Sequence, residues 1–370
     1  MMKPAVEAST RFEDELLLCC ARVSPGKETQ TRIEELLRQP LDWETVLQRA
    51  WWHRIRPLTY FHLRAQPVGA VPENVLAELA ERASEFAERN RRLTRVLEEV
   101  STLFAHASLR GLVFKGPTLT EDAYGSLDLR ECGDLDLLVS HEDLPAVAEM
   151  LSSHGFKSQW ERDDTNRQAF ACEFERSDAL LDVHWNLAPE WLNYRVDFDR
   201  WWESGIPLSA DGRMLRKMRP EDAIVVLCIH GTKHWWERLR WICDVAEVVN
   251  RGLVTDWDDV KAAAIQARCL RSVSLGLWLA SDLLSANVPA ETMRRLECTA
   301  GVKRLGAQVC TWLAHAERGR EMSTLRERFL FRMRVCESMR DRLSQTVQYL
   351  VSRPSSQHES ILSRRRTRGA

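Results

Sequence analysis

The chain has 370 residues and a formal net charge of −2, from 52 Lys and Arg against 54 Asp and Glu. Hydrophobic residues make up 44% of the chain, which excludes a disordered protein and is typical of a globular one. The near-neutral balance argues against a protein that coats polynucleotides, since such proteins are usually basic. The length allows two or three domains of about 100–200 residues each.

Ten cysteines are scattered through the chain and none forms a Cys-x-x-Cys pair, so no zinc spacing is present. Scattered cysteines in a long chain are typical of small buried side chains in a reducing compartment. Residues 1–22 have a short apolar run behind acidic residues, whereas a signal peptide needs a basic start and a longer apolar core. No apolar stretch approaches the roughly 20 residues of a membrane span. We therefore expect a cytoplasmic protein without a membrane segment.

Residues 1–108 predict an N-terminal helical lobe. Apolar residues recur at helical spacing from Phe12 onward, and a long amphipathic segment spans residues 73–108. Pro57 interrupts the pattern between two helical stretches. Helices with one apolar face pack against each other, so the simplest architecture for this part is a bundle.

The periodicity changes at residue 111 and predicts a small mixed domain of strands and helices over residues 109–210. Residues 111–116 are a short apolar run that ends in glycine, which predicts a buried strand. Further strands are predicted at residues 133–139, 156–160, 169–176 and 180–185, with helices at 117–125 and 144–154. The last two strands form a hairpin around Ser177 and Asp178.

Helical periodicity returns near residue 219, so residues 211–352 predict a C-terminal helical lobe. The Ser-rich tail over residues 353–370 ends in a basic cluster and is predicted to be disordered. The predicted fold class is therefore α+β, with a small mixed β-sheet domain flanked by N- and C-terminal helical lobes.

Acidic side chains on two predicted strands carry the chemistry. Asp134 and Asp136 project from the same face of one strand, because side chains alternate along a strand. Neighbouring carboxylates repel each other unless a divalent cation lies between them. Asp182 and His184 share one face of the hairpin, and Asp182 completes a carboxylate triad if the two strands are neighbours. Such a triad can hold two metal ions, and Asp182 can take the proton from an attacking hydroxyl. His184 is either a contact near the metal or a structural histidine.

Candidate phosphate ligands lie upstream. Gly116 follows Lys115 at the end of a buried strand and allows close approach of the backbone to an anion. Lys115 adds a positive charge and Thr118 a hydroxyl. Arg130 has two interpretations, since it either binds a phosphate with both arms of its guanidinium or pairs with a nearby carboxylate.

The segment from His230 to Asp244 is dense in polar and aromatic residues. In one interpretation it forms a wall of the active-site cleft, in which Lys233 or Arg238 binds phosphates and a tryptophan stacks on the base. In the other it is a packing seam between lobes. A zinc site through His230 and His234 lacks other ligands at suitable spacing.

Together these residues resemble the polymerase-beta-like nucleotidyltransferase superfamily, and more narrowly the uncharacterised bacterial nucleotidyltransferase family proteins. The motifs that carry the resemblance are Phe114–Gly116, Gly133–Val139, Leu181–Trp185 and the segment from Ile229 to Asp244, and it covers about residues 40–250. The superfamily usually has Gly-Ser in its phosphate turn, whereas this chain has Lys115 and Gly116 followed by Pro117. Either Lys115 or Thr118 therefore stands in for the serine.

The resemblance implies transfer of a nucleoside monophosphate from an NTP to an acceptor hydroxyl, with release of pyrophosphate. It implies two Mg²⁺ ions, with Mn²⁺ as a substitute, held by Asp134, Asp136 and Asp182. We expect the nucleotide to be held by Lys115, Gly116, Thr118, Arg130, Lys233 and Arg238. The acceptor is expected to be a small molecule or a protein hydroxyl, because no basic groove for a nucleic acid is evident. The alternatives are a catalytically inactive nucleotide- or protein-binding module on the same fold, and a phosphotransferase that uses the same aspartates.

Overall fold

The computed structural model describes residues 11–158, 170–189, 192–208, 214–296, 298–314, 324–339, 342–343 and 346. The predicted tail from residue 353 and the end of the predicted strand at 156–160 lie outside the described residues. Within them the chain forms one mixed sheet flanked by helices, which confirms the predicted α+β class.

The helices before the sheet are α1 (Phe12–Cys20), α2 (Lys27–Leu36), α3 (Trp43–His53), α4 (Arg56–Leu63) and α5 (Glu73–Ala107). The carboxylate of Asp42 accepts hydrogen bonds from the first backbone N–H groups of α3 and so fixes where this helix begins. The long amphipathic helix predicted from residue 73 is α5. Its C-terminal half packs on the sheet with Leu93, Val100 and Phe104.

The strands are β1 (Gly111–Val113), β2 (Leu135–Val139), β3 (Lys157–Ser158), β4 (Ala171–Arg176), β5 (Ala179–His184), β6 (Ile206–Pro207) and β7 (Leu215–Lys217). Their order across the sheet is β3-β4-β5-β2-β1-β7-β6. The predicted hairpin is the antiparallel pair β4 and β5, and β5 runs parallel to β2. The sheet continues to Lys217, past the boundary expected at residue 210.

The other helices are α6 (Pro117–Leu119), which continues as a π-helical turn (Thr120–Tyr124), α7 (Leu144–Ser153), α8 (Phe198–Ser204), α9 (Pro220–Lys233), α10 (Leu239–Asn250), α11 (Trp257–Gln266), α12 (Leu270–Leu284), α13 (Ala290–Arg295), α14 (Ala300–Ala314) and α15 (Leu325–Val335). Helices α5 and α7 cover one face of the sheet with an apolar cluster. Leu112 and Leu138 point to the other face, where they join the core of the remaining helices.

Helices from both ends of the chain share one hydrophobic core rather than forming two separate ones. The guanidinium of Arg22 donates to the carbonyl of Leu283 at 3.1 Å, and Arg49 donates to the carbonyl of Leu313 at 3.0 Å. The backbone N–H of Val23 donates to the carboxylate of Glu247 at 3.0 Å. The first helices of the chain thus pack on the last ones within one helical body.

All ten cysteines lie in the described residues and none is in a disulfide. Burial raises the pKa of Cys310 to about 12, which keeps that thiol protonated. No helix in the described ranges is both long enough and apolar enough to cross a lipid bilayer.

Candidate active site

Parallel pairing of β2 and β5 brings the acidic residues together. The register places Asp136 opposite Asp182 and Leu138 opposite His184. Leu135 and Leu181, at the position before each aspartate, point into the opposite core. The hairpin strand therefore does lie beside the strand of Asp136, as the expected triad requires.

Asp136, Asp182 and His184 form a compact buried cluster, in which one ligand atom from each residue lies within 4.8 Å of the other two. The Nε2 atom of His184 is 3.2 Å from Oδ2 of Asp182 and 3.5 Å from Oδ1 of Asp136. Among the described residues, these three are the acidic, histidine or cysteine side chains that lie close enough together to hold a metal ion.

Lys115 forms an ion pair inside this cluster. Its Nζ lies 3.0 Å from Oδ1 of Asp136, and both side chains are buried. On its other side, Nζ donates to Nδ1 of His230 at 3.2 Å, which brings α9 to the edge of the site. The lysine therefore links the carboxylates of the sheet to the helical body.

The charges of the cluster shift its pKa values in opposite directions. Burial acts to raise the pKa of Asp136, but Lys115 and His184 outweigh it and hold the pKa well below its usual value. Burial acts to lower the pKa of His184, but the carboxylate of Asp182 and then that of Asp136 raise it above the usual value. Burial and the Lys115 ammonium lower the pKa of His230, which favours the neutral ring that accepts from Nζ.

The donor set fits a divalent cation. Carboxylate oxygens suit Mg²⁺ and Mn²⁺, and imidazole nitrogen also ligates transition metals. Both ring nitrogens of His184 are buried, and neither makes a well-aligned hydrogen bond among the described residues, although Nε2 lies in ion-pair range of Asp182. Buried polar atoms usually have well-aligned partners, so an imidazole that faces two carboxylates without such a bond fits a metal ligand.

The predicted phosphate turn lies directly beside the cluster. Gly116 has φ +72° and ψ −147°, a conformation that is essentially restricted to glycine. A Cβ atom at this position would lie 3.4 Å from the carbonyl oxygen of Asp134, so the turn runs against the segment that leads into β2. The hydroxyl of Thr118 donates to the carbonyl of Lys115 at 3.0 Å and closes the turn.

Asp134 lies outside the compact cluster. It occupies a half-buried bend directly before β2, which begins at Leu135. The expected alternation along one strand therefore holds for Asp136 but does not extend back to Asp134.

Arg130 is buried and bound to Asp244. Its Nε and Nη2 atoms donate to the two carboxylate oxygens of Asp244 at 2.7 and 2.9 Å, and Nη1 contacts the sulfur of Cys132 at 3.1 Å. The hydroxyl of Tyr124 donates to the same carboxylate at 2.7 Å. Arg130 thus follows the carboxylate-pairing interpretation, with a partner on α10 rather than a nearby acidic residue. It ties the loop before β2 to the helical body.

The contacts found for the other two predicted basic ligands, Lys233 and Arg238, are with residues outside the cluster. The ammonium of Lys233 donates to the carbonyl of Leu187 at 3.1 Å and lies 4.5 Å from the ring centre of Phe170. The guanidinium of Arg238 lies 5.2 Å from the ring centre of Trp52. Of the segment from 230 to 244, it is His230 that contacts the cluster through Lys115.

Sequence reasoning named His184 but did not include it in the expected metal set. Its signal was present in the sequence, since it alternates with Asp182 on one strand and so has to point to the same face. His230 was named as part of the segment after β7, but its contact with Lys115 depends on how α9 packs on the sheet. No local pattern contains that information.

The fold and the cluster together define a mixed α+β protein with a buried Asp-Asp-His group suited to a divalent cation. The family described as "Uncharacterised nucleotidyltransferase" matches residues 39–285, which is more than half of the chain. The chain belongs to this family, and this assigns it as a nucleotidyltransferase enzyme. No curated protein and no solved structure matches it significantly.

Proposed function

We propose that this protein catalyses metal-dependent transfer of a nucleoside monophosphate from an NTP to an acceptor hydroxyl, with release of pyrophosphate. The observation that carries the proposal is the β2–β5 register, which places Asp136 and Asp182 side by side with His184 in a buried group. A polymerase-beta-like arrangement of the catalytic sheet is part of the proposal, because the acidic residues lie on neighbouring strands after a glycine turn.

Asp136, Asp182 and His184 would hold the first divalent cation, with Asp134 as a further carboxylate at the mouth of the site. Mg²⁺ is proposed as the physiological ion, as a pair of ions, and Mn²⁺ as a substitute. When bound, such cations polarise a phosphoryl oxygen and neutralise charge that develops during in-line displacement at phosphorus. The protein contributes the fixed carboxylate geometry that keeps the cations in place.

In the proposed reaction the acceptor oxygen forms a bond to the α-phosphorus. The bond from that phosphorus to the oxygen that bridges to the β-phosphate breaks, and pyrophosphate leaves with the electron pair. The hydroxyl proton passes to a carboxylate oxygen of Asp182. Asp136 is held ionised by Lys115 and His184, so it stays available to hold positive charge through the cycle.

Gly116 and Lys115 are proposed to position the phosphates. The absence of a Cβ at Gly116 lets the backbone approach an anion closely, and the Lys115 ammonium already lies at the carboxylate pair. Thr118 supports this turn through its hydrogen bond to the carbonyl of Lys115. The acceptor is proposed to be a small molecule or a protein hydroxyl, and the reaction to take place in the cytoplasm.

The test uses purified protein and an NTP that is labelled at either the α- or the γ-phosphate, with Mg²⁺ or Mn²⁺ and a cell extract as the source of acceptor. Mass spectrometry then searches for a nucleoside monophosphate added to any compound. Asp136→Asn should lower the rate by at least about a hundredfold, because bound cations supply several kcal/mol of transition-state stabilisation. Asp178→Asn, on the turn between β4 and β5, is the matched control and should leave the rate unchanged.

Three results separate the proposal from its alternatives. Transfer of the α-label supports nucleotidyl transfer, whereas transfer of the γ-label identifies a phosphotransferase that uses the same aspartates. Thermal stabilisation by NTP without transfer of either label identifies a catalytically inactive nucleotide-binding module. Full activity of Asp136→Asn contradicts the proposed site even if the wild-type protein is active.

A further inference from the structure

Two distant segments that carry arginines meet beside the loop that leads into β2. Arg54 directly follows α3, and Arg238 and Arg240 lie at the start of α10. The two segments are held together at successive positions. Arg238 lies over the ring of Trp52 at 5.2 Å, and the backbone N–H of Leu239 donates to Nδ1 of His53 at 3.4 Å.

This arginine cluster, defined as Arg54, Arg238 and Arg240, is anchored to the loop before β2. Nη1 of Arg240 donates to the carbonyl of Glu131 at 2.9 Å. The Glu131 carboxylate, which is buried, is already paired with Arg56 at 2.9 Å. Glu131 is therefore largely neutralised by Arg56, and its loop ends at Asp134, on the approach to the metal cluster.

Two guanidinium groups of the cluster have an incomplete set of acceptors within the described part of the chain. Nη1 of Arg240 has the Glu131 carbonyl, but its Nε is buried and has no hydrogen-bond partner there. The guanidinium of Arg54 makes no hydrogen bond or ion pair within the described residues. Buried or half-buried guanidinium groups usually have acceptors, because their desolvation is otherwise unfavourable. Two neighbouring guanidinium groups with too few acceptors are typical of an anion-binding site.

The charges around Arg54 and its backbone conformation support an anion-binding role for the cluster. Burial, followed by the charges of Arg240 and Arg238, lowers the pKa of Arg54 to about 9, and the carboxylates of Glu131 and Asp134 oppose that shift. Arg54 also has φ +54° and ψ +46°, a left-handed conformation in which glycine is favoured at the end of a helix. The folded protein thus holds mutually repelled arginines close to the carboxylates of Glu131 and Asp134.

We propose that the arginine cluster binds the β- and γ-phosphates of the NTP and then the pyrophosphate that leaves. This inference rests on the proposed function, since it places the oligophosphate tail next to the carboxylates that would hold the divalent cations. The guanidinium groups would neutralise the charge that builds on the leaving pyrophosphate as its bond to the α-phosphorus breaks. Arginine suits this task because its planar fork binds phosphate oxygens in pairs.

The experiment measures binding of inorganic tripolyphosphate by isothermal titration calorimetry, with the full chain. Arg54→Gln and Arg240→Gln should each weaken binding by about tenfold or more, since each removes a charge-assisted contact. Arg64→Gln, an exposed arginine at the end of α4, is the matched control and should bind like the wild-type protein. Unchanged affinity in both cluster variants, or no binding by the wild-type protein, overturns the inference.

A second variant separates a ligand-binding role from a structural one. Arg54→Gly removes the guanidinium and fits the left-handed backbone, so it should raise the melting temperature while it weakens tripolyphosphate binding. An arginine that only supports the fold would lower the melting temperature instead, and this result would contradict the inference.

The two proposals can fail separately. If the wild-type protein transfers no nucleotide but binds tripolyphosphate in a manner that depends on Arg54, the anion site stands and the proposed function fails. If transfer occurs and the KM for NTP is the same in Arg54→Gln, the proposed function stands and the anion site fails.

Discussion

Removing the charge of Asp244 should reveal what Arg130 does. The two side chains are 1% and 4% exposed, and the guanidinium donates to both carboxylate oxygens at 2.7 and 2.9 Å. Asp244→Asn keeps the shape and an acceptor for the hydroxyl of Tyr124, but it leaves the Arg130 charge buried without a counter-charge. Breaking one partner of such a pair lowers the free energy of unfolding by about 3–5 kcal/mol. This is a large share of the roughly 5–15 kcal/mol that stabilise a typical protein.

A double variant tests whether the loss comes from the orphaned charge. Arg130→Met combined with Asp244→Leu removes both charges, and buried pairs replaced by apolar residues of similar size are often neutral in stability. We therefore expect the double variant to be more stable than Asp244→Asn alone. Simple addition of two large losses would contradict this reasoning.

The assay is urea unfolding followed by circular dichroism, with Asp128→Asn as the control. Asp128 pairs with Arg91 at 2.9 Å on the exposed surface, where an ion pair contributes at most about 1 kcal/mol. Although burial opposes it, Arg130 lowers the pKa of Asp244, so its stabilisation is present above the ordinary carboxyl pKa. The stabilisation is lost as the pH falls through the lowered pKa, and the gap between wild type and Asp244→Asn should narrow there. A loss in Asp244→Asn no larger than in the control would refute the structural role of Arg130.

Two further predictions concern the turn and the helical body. Gly116→Ala should lower the free energy of unfolding by about 1–3 kcal/mol, because the backbone conformation is restricted to glycine. Gly133→Ala, whose Cβ meets no atom within 4 Å, is the control, and equal melting temperatures for the two variants would contradict the argument. Burial, together with nearby arginines, lowers the pKa of His53 from 6.5 to about 3. Below pH 6.5 the unfolded chain takes up a proton at His53 and the folded protein does not, so the wild-type protein should lose stability as the pH falls. His53→Asn keeps an acceptor for the N–H of Leu239 and should reduce this pH dependence in urea titrations between pH 7 and pH 5, whereas an unchanged slope would show that another group is responsible.

Much of the sheet could be predicted from the sequence because its signals are local. The alternation around Asp136 and around Asp182 defines which side chains share a face, and Ser177 with Asp178 marks the turn between β4 and β5. Predicting that Asp136 and Asp182 lie side by side required one further assumption, namely that the two strands are neighbours. The observed register meets this condition.

What could not be predicted depends on contacts between distant parts of the chain. Arg130 has acidic residues close to it in sequence, yet its partner Asp244 is 114 residues away. The strands β6 and β7 have two and three residues, which is too short for any periodicity. The contacts of His230 and Arg240 likewise arise only when α9 and α10 pack against the sheet.

Amphipathic helices also do not specify their partners. The periodicity of residues 12–108 and of residues 219–352 predicted apolar faces in both segments, and the expectation was an N-terminal and a C-terminal helical lobe. In the structure the helices of the two segments pack against each other, as the contacts of Arg22 with Leu283 and of Arg49 with Leu313 show.

The shared core has a consequence for how the molecule is made. Helix α1 packs on α2, α3 and α4, which follow it directly, but also on α12, which is synthesised some 250 residues later. The part of its apolar surface that α12 covers therefore stays without its native partner until that helix is made. A fragment cut at the limits of the family match, residues 39–285, lacks α1, so it would leave exposed the apolar faces of α3, α4 and α12 that α1 covers and would aggregate.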